Sequence, residues 1–344
     1  MSGEKPQHPP IRIAFVGDVM LGRLVSRELQ RRPPESFWSD VGPLLRSCEA
    51  TIANLECAIT RHKQQWKRTR KVFHFGADPA AVDVLKAGNI RAVSLANNHV
   101  LDFEAAGLIE MLQLLDAACI AHAGAGVDET AARQPALFAA GPLKIALFAC
   151  VDHEQSFAAS PQLPGTAYVD PEASECTPFP DAAQISETRE KGTDLVVLST
   201  HFGPNMVFQP SRAIATYRRA AADRGIDIIY GHSAHLFQGI ERYGRSLILH
   251  DTGDFLDDYA IDPELHNDWS FVFIIEADTT GLRELTLVPV VLEFACVRLA
   301  TEREAEALFG RMTKLSSAFR THLVQSTSGL ALTLDLCPAP PAKP

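Results

Sequence analysis

Cysteine is present without any of its usual signatures. The seven cysteines (Cys48, Cys57, Cys119, Cys150, Cys176, Cys296, Cys337) are scattered and form no CxxC pair, so a thiolate zinc site or a dithiol redox motif has no support. Positive charge is also in deficit. Against 42 Asp and Glu stand 32 Lys and Arg, a formal net charge of −10, and nonspecific binding to a nucleic-acid backbone needs the opposite balance. Long apolar runs are missing. The most apolar stretch, Leu137 to Val151, is broken by Gly141, Pro142 and Lys144 and is too short to cross a bilayer. The leading MSGEKPQHPP has no apolar h-region, so a cleaved secretory signal is not expected. With scattered, unpaired cysteines this makes the cytoplasm the expected location. A Walker A loop, Gly-x-Ser-x-Gly and His-Glu-x-x-His are absent, and Gly124-Ala-Gly126 lacks the third glycine of a dinucleotide fingerprint.

What is present is a chain of 344 residues, 46% hydrophobic and 22% charged, able to bury a large core. Short β-rich apolar runs recur, and each ends abruptly in polar residues. Ile11 to Val16 ends in Gly17-Asp18, Ala50 to Ala53 in Asn54-Leu55-Glu56, and Ile90 to Leu95 in Ala96-Asn97-Asn98-His99. Leu195 to Leu198 runs into Ser199-Thr200-His201, Ile226 to Tyr230 into Gly231-His232-Ser233-Ala234-His235, and Ser246 to Leu249 into His250-Asp251-Thr252-Gly253-Asp254. Helical spacing of apolar residues appears from Glu104 to Ala118 and from Ser211 to Arg224, and a further helix is expected from Thr301 to Leu323. Strand–helix alternation predicts an α/β layered fold. Ser270 to Glu276 and Leu282 to Phe294, separated by Asp278-Thr-Thr-Gly281, read as a hairpin added to the sheet, and residues 153–180 as a long surface loop. No linker divides the chain, so one domain is expected over 11–325, followed by a Pro-rich tail over 326–344.

Ligands of open α/β sheets gather beyond the carboxyl ends of the strands. If the strands are neighbours, Asp18, Glu56, Asn98, His99, His201, His232 and His235 converge on one crevice. Carboxylate, imidazole and amide oxygen together suit Mn, Fe or Zn better than an all-oxygen calcium site. Two such ions close together can activate a water and stabilise attacking and leaving oxygens. Singly, each piece has a plainer reading: Gly-Asp after a strand is common, Asn97-Asn98 suits a turn, and a lone His201 is more often structural. Their joint occurrence favours a metal site.

These residues resemble a known family. Gly17-Asp18-Val19-Met20-Leu21-Gly22-Arg23, Asn54-Leu55-Glu56, Leu95-Ala96-Asn97-Asn98-His99, His201-Phe202-Gly203 and Gly231-His232-Ser233-Ala234-His235, in that order, are similar to the CapA (poly-γ-glutamate capsule biosynthesis) family of the calcineurin-like metallophosphoesterase superfamily. The resemblance implies a four-layer α/β/β/α sandwich with mixed sheets and a metal-dependent hydrolase holding two divalent ions. It implies Asp18 and His235 on a first metal, Glu56 bridging, and Asn98, His201 and His232 on a second. His99 would be the proton donor or charge stabiliser, and Asp18 and Arg23 would share the catalytic work. Arg23, Asn54 and Asn97 would contact substrate. Met20 stands where the superfamily's first motif has a histidine, so the first metal site is expected to be weak, filled by another ligand such as Asp254, or empty.

The segment Arg61-His-Lys-Gln-Gln-Trp-Lys-Arg-Thr-Arg-Lys71 carries six Lys or Arg in eleven residues. It reads either as a solvated loop or as a flap, with Lys67 and Arg68 foremost, that attracts an anionic small molecule or polymer. The expected function is cleavage of a phosphoester or a γ-glutamyl or amide bond, with no nucleic-acid partner and no membrane insertion. Two alternatives remain open: a non-catalytic polyanion-binding accessory protein, and an enzyme whose histidines act as metal-free acid–base groups.

Overall fold

The computed structural model describes residues 9–173 and 177–337. The chain first lays down four parallel strands, β1 (Ile11–Val19), β2 (Ala50–Leu55), β3 (Ile90–Ser94) and β4 (Ala121–Ala123), side by side. The connections carry helices α1 (Ala81–Ala87) and α2 (Glu104–Ala117). It then crosses to a second sheet, building β5 (Ala136–Ala140), β6 (Leu143–Val151), β7 (Leu195–His201), β8 (Ile228–His232), β9 (Ile240–Tyr243) and β10 (Ser246–Leu249). Their order is β9-β10-β8-β7-β6-β5, with helices α3 (Ala182–Glu190) and α4 (Arg212–Asp223) in the connections. Finally it returns to the first sheet with β11 (Asp254–Leu256), parallel to β1, and the hairpin β12 (Trp269–Asp278) and β13 (Gly281–Glu293). Strand β14 (Cys296–Leu299), helix α5 (Glu302–Ser317) and strands β15 (Val324–Gln325) and β16 (Leu332–Asp335) complete it. The first sheet has ten strands, the second six.

Side-chain alternation sorts these sheets into layers. On β1, Ala14 and Val16 face one core with α1 and α2 residues such as Val84 and Leu108. Ile13 and Phe15 face the other sheet, meeting Leu147, Val197 and Tyr230. On β7, Leu195 and Val197 turn inward, whereas Val196 and Leu198 turn outward onto Ile185 of α3 and Ile214 and Tyr217 of α4. Helices, sheet, sheet, helices: this is the expected α/β/β/α sandwich. Because both faces are covered, β6 and β7 read as near-continuous apolar runs rather than alternating ones. Helix α5 closes one open edge between the sheets with Leu308, Met312 and Leu315.

Two boundaries differ from expectation. Helix α5 begins at a capping box formed by Thr301 and Glu304 but ends at Ser317, six residues short, and Arg320 beyond it has a φ of +58° that no continuing helix tolerates. Part of the tail expected from 326 belongs to the first sheet. β16 pairs with β13 and buries Leu332 and Leu334, and only 338–344 of that segment lie outside the described residues. Among the described residues no helix is long and apolar enough to cross a membrane.

Candidate metal centre

The segment His250–Asp254 forms a seam between the sheets, and two glycines make it possible. A Cβ on Gly17 would lie 1.9 Å from Gly253 O, and one on Gly231 would lie 2.1 Å from His250 O. Only bare α-carbons allow so close a backbone approach. Asp18 N then donates to Gly253 O at 2.9 Å and Thr252 N to Gly231 O at 2.9 Å. Asp251 holds the turn by accepting from Ala234 N and Gly253 N, both at 2.9 Å. Each glycine precedes a site residue, so the seam draws Asp18, His232 and Asp254 together.

Two groups of metal-capable donors result, and they share Asp18. Asp18, His201 and His232 form the first; Asp18, Glu56, His235 and Asp254 form the second. Pairing of β7 with β8 places His201 opposite His232, their Nδ1 atoms 2.8 Å apart. His232 Nε2 is 2.6 Å from Ser199 Oγ, and its Nδ1 is 3.7 Å from Asp18 Oδ1. On the other side, His235 Nδ1 lies 2.7 Å from Asp254 Oδ1 and 3.9 Å from Asp18 Oδ2. Tyr259 donates its hydroxyl to Glu56 Oε2 at 3.2 Å.

Electrostatics make this a site short of positive charge. Burial, reinforced by Glu56, raises the Asp18 pKa well above the ordinary carboxylate value, with His235 opposing. Burial pushes Asp254 up to about 6, again opposed by His235. Burial also lowers His201 and His232 well below an ordinary histidine, aided by His232 on the former and Arg218 on the latter. For His235 burial works against the charged form, but Asp254, Glu56 and Asp18 outweigh it and raise the pKa well above its usual value. Asp18 Oδ2, Asp254 Oδ2 and Asn98 Oδ1 are buried with no hydrogen-bond partner. Uncompensated oxygens beside neutral imidazoles are the donor chemistry that a divalent transition ion satisfies, so these residues fit such an ion.

Above the groups opens a cleft of about 590 Å³, lined by Arg23, Arg70, Lys71, Asn98, His99 and Tyr259 among others. His99 Nδ1 is 2.7 Å from Asp102 Oδ2, its Nε2 is 4.0 Å from Glu56 Oε1, and its ring stacks on Phe75 at 3.7 Å. Arg23 lies at the cleft with its Nε 3.4 Å from Asp258.

Several expected residues lie elsewhere. Asn54 and Asn97 are fully buried and do not line the cleft. Asn54 donates to Asp18 Oδ1 at 2.8 Å, and Asn97 donates to Asn54 Oδ1 at 3.0 Å while accepting from His99 N. Their amides join Asp18 to the backbone of His99 from beneath the cleft. Lys67 and Arg68 also stand away from the cleft. Arg68 is 3.6 Å from Glu104 and lies over Trp66, and it is Arg70 and Lys71 that reach the cleft wall. Asp18, not Glu56, occupies the junction of the two groups. Met20 is buried and accepts from Gly22 N through its sulfur at 3.1 Å. Tyr259, Asp102 and the Asp152–His153 pair beside His201 were not anticipated. Of these only Asp102 carries a signal, its place three residues after His99.

A four-layer sandwich with carboxylates from one sheet and imidazoles from the other at strand carboxyl ends defines an α/β protein with a candidate metal centre. The sequence profile of the family described as bacterial capsule synthesis protein PGA_cap matches residues 12–259, and the chain belongs to that family. The PGA biosynthesis protein CapA of Bacillus subtilis (strain 168) is 29% identical over 247 residues, covering 71% of this chain and 63% of that protein. The capsule biosynthesis protein CapA of Bacillus anthracis is 24% identical over 254 residues, covering 73% and 61%. The chain thus spans less than two thirds of either Bacillus relative. A probable polyglutamine synthesis accessory protein of Mycobacterium tuberculosis is 28% identical over 351 residues, covering 97% of this chain and 91% of that protein. Among solved structures, the sulfate thiohydrolase SoxB of Thermus thermophilus in complex with glycerol matches 93% of this chain and 63% of its own, at 11% identity and a TM-score of 0.45.

Proposed function

We propose that this chain is a metal-dependent hydrolase that cleaves a phosphoester or a γ-glutamyl or amide bond in an anionic substrate, in the cytoplasm, in connection with poly-γ-glutamate or capsule metabolism. The observation that carries the reading is the sharing of buried Asp18 between two donor groups, with its Oδ2 left unsatisfied. Asp18, His201 and His232 would hold one divalent ion, with Asn98 Oδ1 as a further donor, and Asp18, Glu56, His235 and Asp254 a second; Mn, Fe and Zn suit the set. Such ions supply Lewis acidity and make a water nucleophilic at neutral pH. The chain's own groups do the rest. Arg23 and Arg70 receive anionic oxygens at the cleft. His99, held by Asp102, delivers a proton to the leaving group through Nε2. Phe75 and Tyr259 wall the reacting centre from bulk water.

The test is metal content by elemental analysis on protein purified without chelator, followed by turnover of phosphoesters and γ-glutamyl amides. His99→Ala should cut turnover by about 10²–10⁴-fold while sparing metal content, and His201→Ala or His232→Ala should lower metal content. Failure to take up any metal on reconstitution sinks the reading. The second reading, a non-catalytic polyanion-binding accessory protein, draws support from Arg70, a cleft cation with no acidic partner among the described residues, and from the word accessory in the mycobacterial relative's name. Polymer binding that persists in chelator, with no turnover, would favour it.

A further inference from the structure

Lys71 was expected to be one more cation offered to an anionic ligand. Its surroundings say otherwise. Only 5% of its side chain is exposed, and Nζ donates to Asn98 O at 2.5 Å. The same ammonium is 3.4 Å from Asp102 Oδ1 and 3.6 Å from Glu154 Oε1. Asp102 Oδ1 is buried and has no hydrogen-bond partner among the described residues; Oδ2 accepts from Phe75 N at 2.6 Å and meets His99 Nδ1 at 2.7 Å. The segment from Trp66 to Phe75 therefore grips the turn Asn98–Asp102 at five points. Trp66 N bonds Asp102 O at 2.9 Å, Lys71 takes Asn98 O and Asp102 Oδ1, Phe75 N takes Asp102 Oδ2, and the Phe75 ring covers His99. Burying a lysine costs desolvation and side-chain entropy, and here every acceptor it meets belongs to the turn or to the Glu154 loop.

We propose that Lys71 is a positioning residue: its ammonium fixes the Asn98–His99–Asp102 turn, and so the aim of the His99 ring, and is not itself available to substrate. Arg70, exposed next to it and with no acidic partner among the described residues, is the cation that meets the substrate. Adjacent residues of one basic segment thus have opposite duties, one orienting the acid–base pair and one binding.

The kinetic half of the test rests on the hydrolase reading; the spectroscopic half does not. Wild type, Lys71→Met, Glu154→Gln and Arg70→Gln are reconstituted with Mn²⁺ and assayed on para-nitrophenyl phosphate and γ-glutamyl-para-nitroanilide. Lys71→Met should lower kcat roughly 10- to 100-fold with KM within about twofold of wild type, while Arg70→Gln should raise KM and spare kcat. In parallel, the ring ¹⁵N–¹H correlations of His99 are recorded on metal-free protein. They should move or broaden in Lys71→Met and stay in place in Arg70→Gln. If Lys71→Met fails to fold, Glu154→Gln, which loosens the ammonium from its outer side, should show the same pattern more weakly. A raised KM with unchanged kcat in the Lys71 variant, or His99 signals identical to wild type, overturns the proposal. If wild type turns over neither probe, the hydrolase reading fails there, and the His99 signals alone decide the role of Lys71.

Discussion

Burial disfavours the charged form of every histidine in the two donor groups, yet their pKa values move in opposite directions, because each has different neighbours. His201 and His232 face each other, with Arg218 behind, and their pKa values fall well below the usual one; His235 is surrounded by Asp254, Glu56 and Asp18, and its value rises well above it. His250 lies just outside the donor groups and reports this chemistry on stability. Burial lowers its pKa from the ordinary 6.5 to about 4, with Arg218 adding and the hydrogen bond to Glu241 opposing. Since the folded value lies below the unfolded one, the unfolded chain binds more protons between them. The contribution is complete above pH 6.5 and is lost as pH falls toward 4. It amounts to at most about 3 kcal/mol. His250→Gln should therefore flatten the acid limb of unfolding free energy measured in urea between those pH values. An acid limb of unchanged slope would remove His250 as its source. Legibility at this scale followed how each residue was signalled. Asp18, Glu56, His201 and His232 stand out because a polar group ends an apolar β run. Asn54 and Asn97 end such runs too, but residue type does not say whether an amide faces a cleft or another amide. Tyr259 sits in an irregular stretch, where no periodicity marks it.

Elements were read well wherever periodicity carried them, as with β1, β7, α2 and α4, and less well where tertiary contacts decide. Helix α5 stops early because of a backbone turn, and β16 hides in a segment that ends in four prolines after 337, although Leu332, Leu334 and Leu336 alternate with Thr333 and Asp335. The close approach of β1 and β8 to the seam was invisible, since a glycine before a site residue has many uses. It makes a sharp prediction. Gly17→Ala and Gly231→Ala must push back the carbonyls of Gly253 and His250, which are backbone and cannot swing away. Each should cost on the order of 3 kcal/mol and weaken metal uptake, as measured by urea denaturation and metal titration. Beyond the backbone of its own helix, an added Cβ at Gly310 in α5 meets nothing within 4 Å among the described residues, so Gly310→Ala should instead be neutral or stabilising by about 0.5–1 kcal/mol. Equal effects at all three positions would mean that generic glycine loss, not the seam, is being measured.

For the whole molecule, the two candidate donor groups draw on both sheets, so an ion bound there would cross-link them. Asp18, Glu56 and Asp254 belong to the first sheet or its strand ends, and His201, His232 and His235 to the second. The layered fold was legible because strand–helix alternation and motif order agree, but the crossing of the chain from one sheet to the other after β4 leaves no mark in the sequence. An ion held by both sheets must stabilise the sandwich as a unit, because the unfolded chain cannot present the set. At free metal about a hundredfold above its dissociation constant, the gain is about 2.7 kcal/mol per site. Asp18→Asn should abolish that gain for both groups, since Asp18 alone belongs to each. Its effect without metal should be opposite in sense: a buried, repelled carboxylate is replaced by a neutral amide that can still accept from Asn54, so the variant should melt no lower than wild type in chelator. His201→Ala should lose only part of the gain. Melting curves of wild type and these variants, with chelator and with saturating Mn²⁺ or Zn²⁺, separate the outcomes. A wild type indifferent to metal, or an Asp18→Asn variant stabilised as much as wild type, would mean that the shared carboxylate does not join the two groups into one centre.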